Sequence, residues 1–135
     1  MANEAIVTDL LGNNGDVVMY SVANASAIAK GAVCILQDLR TVVTHAAVDT
    51  PVVGIALHEK VANDGMTQIG VITNCIAKFT VVGGGTTTIG DTVSMGGTAN
   101  MVDLGATLDD EKGWTIGYAL EDGAAGETVL VRVQK

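Results

Sequence analysis

A chain of 135 residues, 48% apolar and 16% charged, fits one packed domain and carries too little charge to stay disordered. A net charge of −8, with Lys and Arg scattered along the chain, argues against a nucleic-acid partner, whose backbone needs clustered cations. With aromatics at only 3%, the core must be built from Val, Ile, Leu, Ala and Met.

In chain order, residues 1–15 read as an N-terminal arm. Ile6, Val7, Leu10 and Leu11 are apolar at nearly helical spacing, but Gly12-Asn13-Asn14-Gly15 stops a helix at once. An extended or loosely helical lead-in is expected. Its apolar side chains need a cover, from the body, a sister subunit or another protein. Residues 16–135 then read as a single β domain. Val17 to Val22 is rich in β-formers, and Asn24 to Lys30 is a small-residue connection. Ala32 to Gln37 has the length and composition of a buried strand. Thr41 to Thr44 returns after a turn at Asp38-Leu39-Arg40. Pro51 stands at the entrance of Val52 to Leu57, and Asn63-Asp64-Gly65 turns the chain into Thr67 to Thr73. Cys75 to Val82 runs to the Gly83-Gly84-Gly85 break. Thr92 to Met95 and Ala99 to Val102 flank Gly96-Gly97 as a hairpin. Trp114 to Leu120 and Thr128 to Val133 close the chain around Glu121-Asp122-Gly123. Short strands with glycine turns give an all-β fold, a small sandwich or barrel.

A strand-turn-strand unit recurs in this pattern. Val53-Gly54-Ile55-Ala56-Leu57 followed by Gly65 to Val71 matches Ile116-Gly117-Tyr118-Ala119-Leu120 followed by Gly126 to Val131. Upstream, Lys30-Gly31-Ala32-Val33-Cys34 resembles Ile89-Gly90-Asp91-Thr92-Val93. An internal duplication of the β domain is the simplest account.

Catalytic chemistry has little to stand on. His45 and His58 have no metal-binding spacing and read as turn or strand-end residues. Cys34 and Cys75 sit in apolar runs, where a thiol is reduced, buried and inert. Gly83-Gly84-Gly85-Thr86-Thr87-Thr88 lacks the lysine and following helix of a phosphate loop, and reads as a flexible inter-strand connection. Asp103 and Asp109-Asp110-Glu111 do not match a calcium loop, and read as a solvated acidic segment. Trp114, the sole tryptophan, reads as a core or interface anchor. No enzyme activity, cofactor or metal is expected. The N-terminal stretch lacks the basic start and the apolar length of a signal peptide. No run of about 18 apolar residues is present, so no membrane span is expected. Without secretion, the glycosylation pattern Asn24-Ala25-Ser26 has no use.

The layout resembles the phage head decoration, or capsid cement, proteins, some of which carry the label of a RecA/RadA-type recombinase. The resemblance rests on Ala29-Lys30-Gly31-Ala32-Val33, on Val52 to Leu57, and on Thr115 to Leu120 through Gly126 to Val133. It extends loosely over residues 15–135, and Ala32 replaces the acidic residue usual in that strand start. The recombinase label has no support, since neither an ATP-binding loop nor a basic stripe is present. The resemblance implies a structural virion protein, assembled in the host cytoplasm and seated on the outer capsid surface. There a homotrimer would clamp the major capsid protein and stabilise the shell. Ile6, Val7, Leu10 and Leu11, with Trp114 as a second choice, are the residues expected to make capsid or subunit contacts. The competing reading is a small β-sandwich module for a carbohydrate or host-surface ligand. Such platforms need exposed aromatics, and only Trp114, Tyr20 and Tyr118 are available.

Overall fold

Runs of Val, Ile and Thr broken by glycine and Asn/Asp turns fold entirely as strands. The computed structural model describes residues 3–48, 50–104 and 113–135, and no helix occurs among them. The strands are β1 Ile6–Leu10, β2 Val18–Ser21, β3 Val33–Asp38, β4 Thr41–Thr44, β5 Val52–Ala56, β6 Gln68–Ile72 and β7 Asn74–Val81. The rest are β8 Thr86–Thr87, β9 Thr92–Met95, β10 Met101–Leu104, β11 Thr115–Ala119, β12 Gly123–Ala124 and β13 Thr128–Gln134.

Five strands close into a barrel in the order β2-β4-β3-β5-β6. The second sheet runs β1-β7-β10-β9-β11-β13, and an added β7–β13 pairing closes five of its six strands into another ring. The two rings have the same wiring. In each, one pair is parallel, β2 with β4 and β7 with β10. Registers match as well: Cys34 faces Gly54 across β3 and β5, as Val93 faces Gly117 across β9 and β11. Ala56 pairs with Val71 as Ala119 pairs with Val131. The Gly31 N–H donates to Ala56 O at 3.0 Å, and the Gly90 N–H to Ala119 O at 2.8 Å. Both turn glycines have φ near +85°, at 85° and 83°. A Cβ on Gly54 would strike the Ile72 carbonyl, and one on Gly117 the Arg132 carbonyl, which is again the matching residue.

The core follows this doubling. Val22, Cys34, Val42, Val53, Ile69 and Val71 fill the first barrel. Val81, Val93, Val102, Ile116, Val129 and Val131 stand at the matching places in the second. Strands alternate their faces, so Val33 and Ile35 flank Cys34 but point the other way. Together with Val52, Ile55 and Ile72 they join the core of the second barrel. The first barrel therefore presents an apolar outer wall to its neighbour.

Two details differ from the sequence-based expectation. The Gly83 to Thr88 stretch is not a loose connection: β8 pairs with β12, and Thr87 is buried. The β9–β10 turn is longer than a Gly-Gly hairpin, because Asn100 takes φ +63° and Met95 pairs with Val102. Residues 6–10, expected to be extended or loosely helical, form a strand antiparallel to β7. The acidic residues Asp109, Asp110 and Glu111 lie outside the described residues.

Candidate interaction surface

The N-terminal residues are built onto the body. The Ala5 N–H donates to Gly31 O at 2.8 Å, and the Leu11 N–H to Asn74 O at 3.1 Å. Between these points β1 follows β7 with a bulge at Thr8, whose hydroxyl donates to Ile76 O at 3.0 Å. Ala5 is buried and Val7 packs on the shared core. Ile6 and Leu10 face outward, 63% and 47% exposed. Of the three apolar side chains of the strand, Val7 packs on the body while Ile6 and Leu10 remain at the surface.

Those outward residues edge a groove of about 750 Å³, whose walls include Ile6, Leu10, Lys30, Leu57, His58 and Ile72. Its lining is mixed: Lys30, His58 and Asp9 add charge and hydrogen-bonding groups to the apolar side chains. Ile6, Val7 and Leu10 therefore share one surface. Leu11, half-buried, follows at the end of β1. Trp114 is not part of it. It precedes β11, is half-buried, and lines a recess of about 220 Å³ with Val48, Met95 and Leu104. Neither Tyr20 nor Tyr118 lines that recess. Tyr20 instead packs on the first core and lies under the Arg40 guanidinium, 5.7 Å from the ring centre.

Two buried polar devices escaped sequence reasoning. Lys60 is fully buried beside the Ile28–Lys60 bridge. Its ammonium donates to the carbonyls of Asn24 and Ser26 at 2.8 Å each, and to Val61 O at 3.2 Å. The Asp64 carboxylate stands 3.3 Å away. Nothing in the local pattern distinguishes this lysine from a solvated one. His45, also buried, joins the two barrels: the Asn100 N–H donates to His45 Nδ1 at 3.1 Å, and the Val33 N–H to Asn100 Oδ1 at 2.9 Å. Burial holds the imidazole below its ordinary pKa, against the opposing pull of the Ala47 and Gly96 carbonyls. The strand-end position of His45 was legible, but its hydrogen-bond partner lies in the other half of the chain.

Both cysteines are free and buried. Burial pushes the Cys34 thiol up to about 12 and the Cys75 thiol to about 11, the latter opposed by Arg132. Neither is a thiolate near neutrality, which removes their nucleophilic form. Among the described residues, no three His, Cys, Asp or Glu side chains gather as a metal site. No helix there is long and apolar enough to cross a membrane.

The fold has a solved counterpart. It is similar to the head fibre gp8.5 N base of bacteriophage phi29, with a TM-score of 0.52 and 16% identity. The likeness covers 87% of this chain and 92% of that one. No family model and no curated protein matches the chain.

Proposed function

We propose that this chain is a structural protein of a bacteriophage virion, seated on the outer surface of the head, where it binds the assembled shell and stabilises it without catalysis. The observation that carries this reading is the fold shared, over nearly its whole length, with a phage head fibre base. The resemblance of its closing strands to head decoration proteins points the same way. Its partner is the major capsid protein, and a homotrimer is the assembly that fits a three-fold site. A mean hydropathy of +0.41 with outward apolar residues on β1 suits a protein that finishes burying its surface on assembly.

The mechanism is mass action. A protein that binds the assembled shell and not its separate subunits stabilises the shell by the free energy of binding. The β1 groove, with Ile6 and Leu10, is the contact assigned to the capsid. The test heats particles with and without saturating protein and measures DNA release. A higher release temperature with protein bound is expected; equal temperatures at confirmed saturation remove the stabilising role. Replacing Ile6 and Leu10 by Asp on the intact strand lowers head binding at least tenfold, and unchanged binding removes β1 from the contact.

A further inference from the structure

We propose that the first barrel carries a vacant strand site, the counterpart of the one β1 fills on the second barrel, and that it accepts an extended segment of another virion chain. The duplication locates the site. β7 and β2 hold the same place in their rings, shown by the Val81 N–H donating to Glu127 O and the Val22 N–H to Thr67 O. On β7, the edge away from β13 is shared: β10 pairs with Thr80 and Val81, and β1 with Cys75 to Lys78. On β2, β4 pairs only with Ser21. Among the described residues no strand takes the place that β1 takes on β7.

Backbone direction fits a strand there. Hydrogen-bonding groups alternate sides along a strand. The Val22 N–H points to the β6 side, whereas the Ser21 N–H donates the other way, to Arg40 O at 2.9 Å. Alternation therefore turns Val17 and Met19 to the open edge. Val17 has no backbone partner among the described residues. Val17 is 38% exposed and Met19 48%. A recess of about 530 Å³ opens beside Val17 and Val18, bounded by Asn13, Asn14 and Asp16. An uncovered edge of this kind pairs with an added strand unless it is guarded.

Charge defines the occupant. Arg40 reaches over this edge and donates from Nε and Nη2 to Met19 O, at 3.3 and 3.1 Å. The neighbouring carboxylates are engaged elsewhere: Asp16 with Asn13 N and Asn74 Nδ2, Asp38 with Leu39 N. A strand that takes the Met19 carbonyl displaces the guanidinium, and a carboxylate on that strand can pair with it. The fitting ligand is an extended segment with alternating apolar residues and one carboxylate. β1 itself, Ile-Val-Thr-Asp-Leu, combines apolar residues with one carboxylate, though without strict alternation. Arg40 therefore favours strands that carry such an anion.

The partner assignment rests on the proposed virion role; the strand site does not. Amide hydrogen exchange tests both separately. In the free protein, Val17 and Met19 amides exchange at least a hundredfold faster than those of Val18 and Tyr20; equal protection overturns the vacant edge. A synthetic peptide of residues 4–11 at millimolar concentration slows Val17 and Met19 at least tenfold, and Val17→Lys abolishes this with an unchanged melting temperature. No protection by the peptide overturns the strand site, whatever happens with particles. On phage heads the same two amides become protected. Protection that appears instead in concentrated free protein makes a second copy the occupant and overturns the partner assignment. Failure to bind heads at all counts against the virion role and leaves the peptide result to decide the site.

Discussion

Single residues set the closest tolerances in this fold, and the two barrels repeat them. Gly54 and Gly117 face carbonyls of the paired strand so closely that a methyl group cannot be added without moving backbone. Gly117→Ala is expected to cost about 3 kcal/mol, the scale of a forced backbone shift. Gly65→Ala, with open space around it but φ of +86°, should cost about 1 kcal/mol through conformational strain alone. Urea denaturation of both variants checks the order, and equal losses would sink the argument. His45 gives a pH dependence. Its folded pKa lies below the unfolded value of about 6.5. The neutral imidazole, which accepts from Asn100, therefore stabilises the fold fully above about pH 6.5. That contribution is lost as pH falls from there through the folded pKa, by at most about 1.4 kcal/mol per pH unit. The urea midpoint should decline from pH 7 to 5 in the native chain, and flatten in His45→Gln. The paired glycines were legible in the sequence because glycine is rare in strands. The His45 contact was not, because nothing local links His45 to Asn100.

At the scale of elements, sequence reading placed most strands within two residues, since Val-, Ile- and Thr-rich runs bounded by glycine carry a clear period. It missed β8 and β12, two residues each, because Thr86-Thr87 and Gly123-Ala124 have almost no pattern of their own. They exist because the long β7 and β13 bring their flanks together. For residues 6–11 the sequence left extended and loosely helical conformations open, and pairing with the β7 edge selects the extended one. In the first barrel, the place of the β8–β12 pair is taken by the Ile28–Lys60 bridge. There the Lys60 ammonium holds three carbonyls of two loops. Lys60→Met keeps the apolar stem but removes the donor from those part-buried carbonyls, at about 2 to 3 kcal/mol. A thermal melt checks this: the midpoint should fall by roughly 10 °C, given about 4 °C per kcal/mol for a chain near this size. An unchanged midpoint would show that water replaces the ammonium without loss.

For the whole molecule, the question is whether two barrels unfold as two units. A duplicated fold invites that expectation, and each ring does have an interior of its own. The wall between them argues otherwise. Val33, Ile35, Val52, Ile55 and Ile72 belong to strands of the first barrel, yet they pack within the core of the second. Exposing that wall costs about 25 cal/mol for each Å² of apolar surface. The polar joint adds to it: the His45–Asn100–Val33 hydrogen bonds are fully buried and would be left unpaired. The Val52 N–H also donates across the joint to Gly113 O at 2.9 Å. The first barrel, stripped of its neighbour, would carry an open apolar face on a body of about half the chain, too small to offset it. Calorimetry should therefore give one transition, with an unfolding enthalpy of about 90 kcal/mol for the full chain and a ratio of calorimetric to van't Hoff enthalpy near one. Asn100→Ala, which removes the acceptor for the buried Val33 N–H, should shift that single transition down without splitting it. Two resolved transitions, each carrying half the enthalpy, would mean that the wall is an interface between independent barrels rather than part of one core.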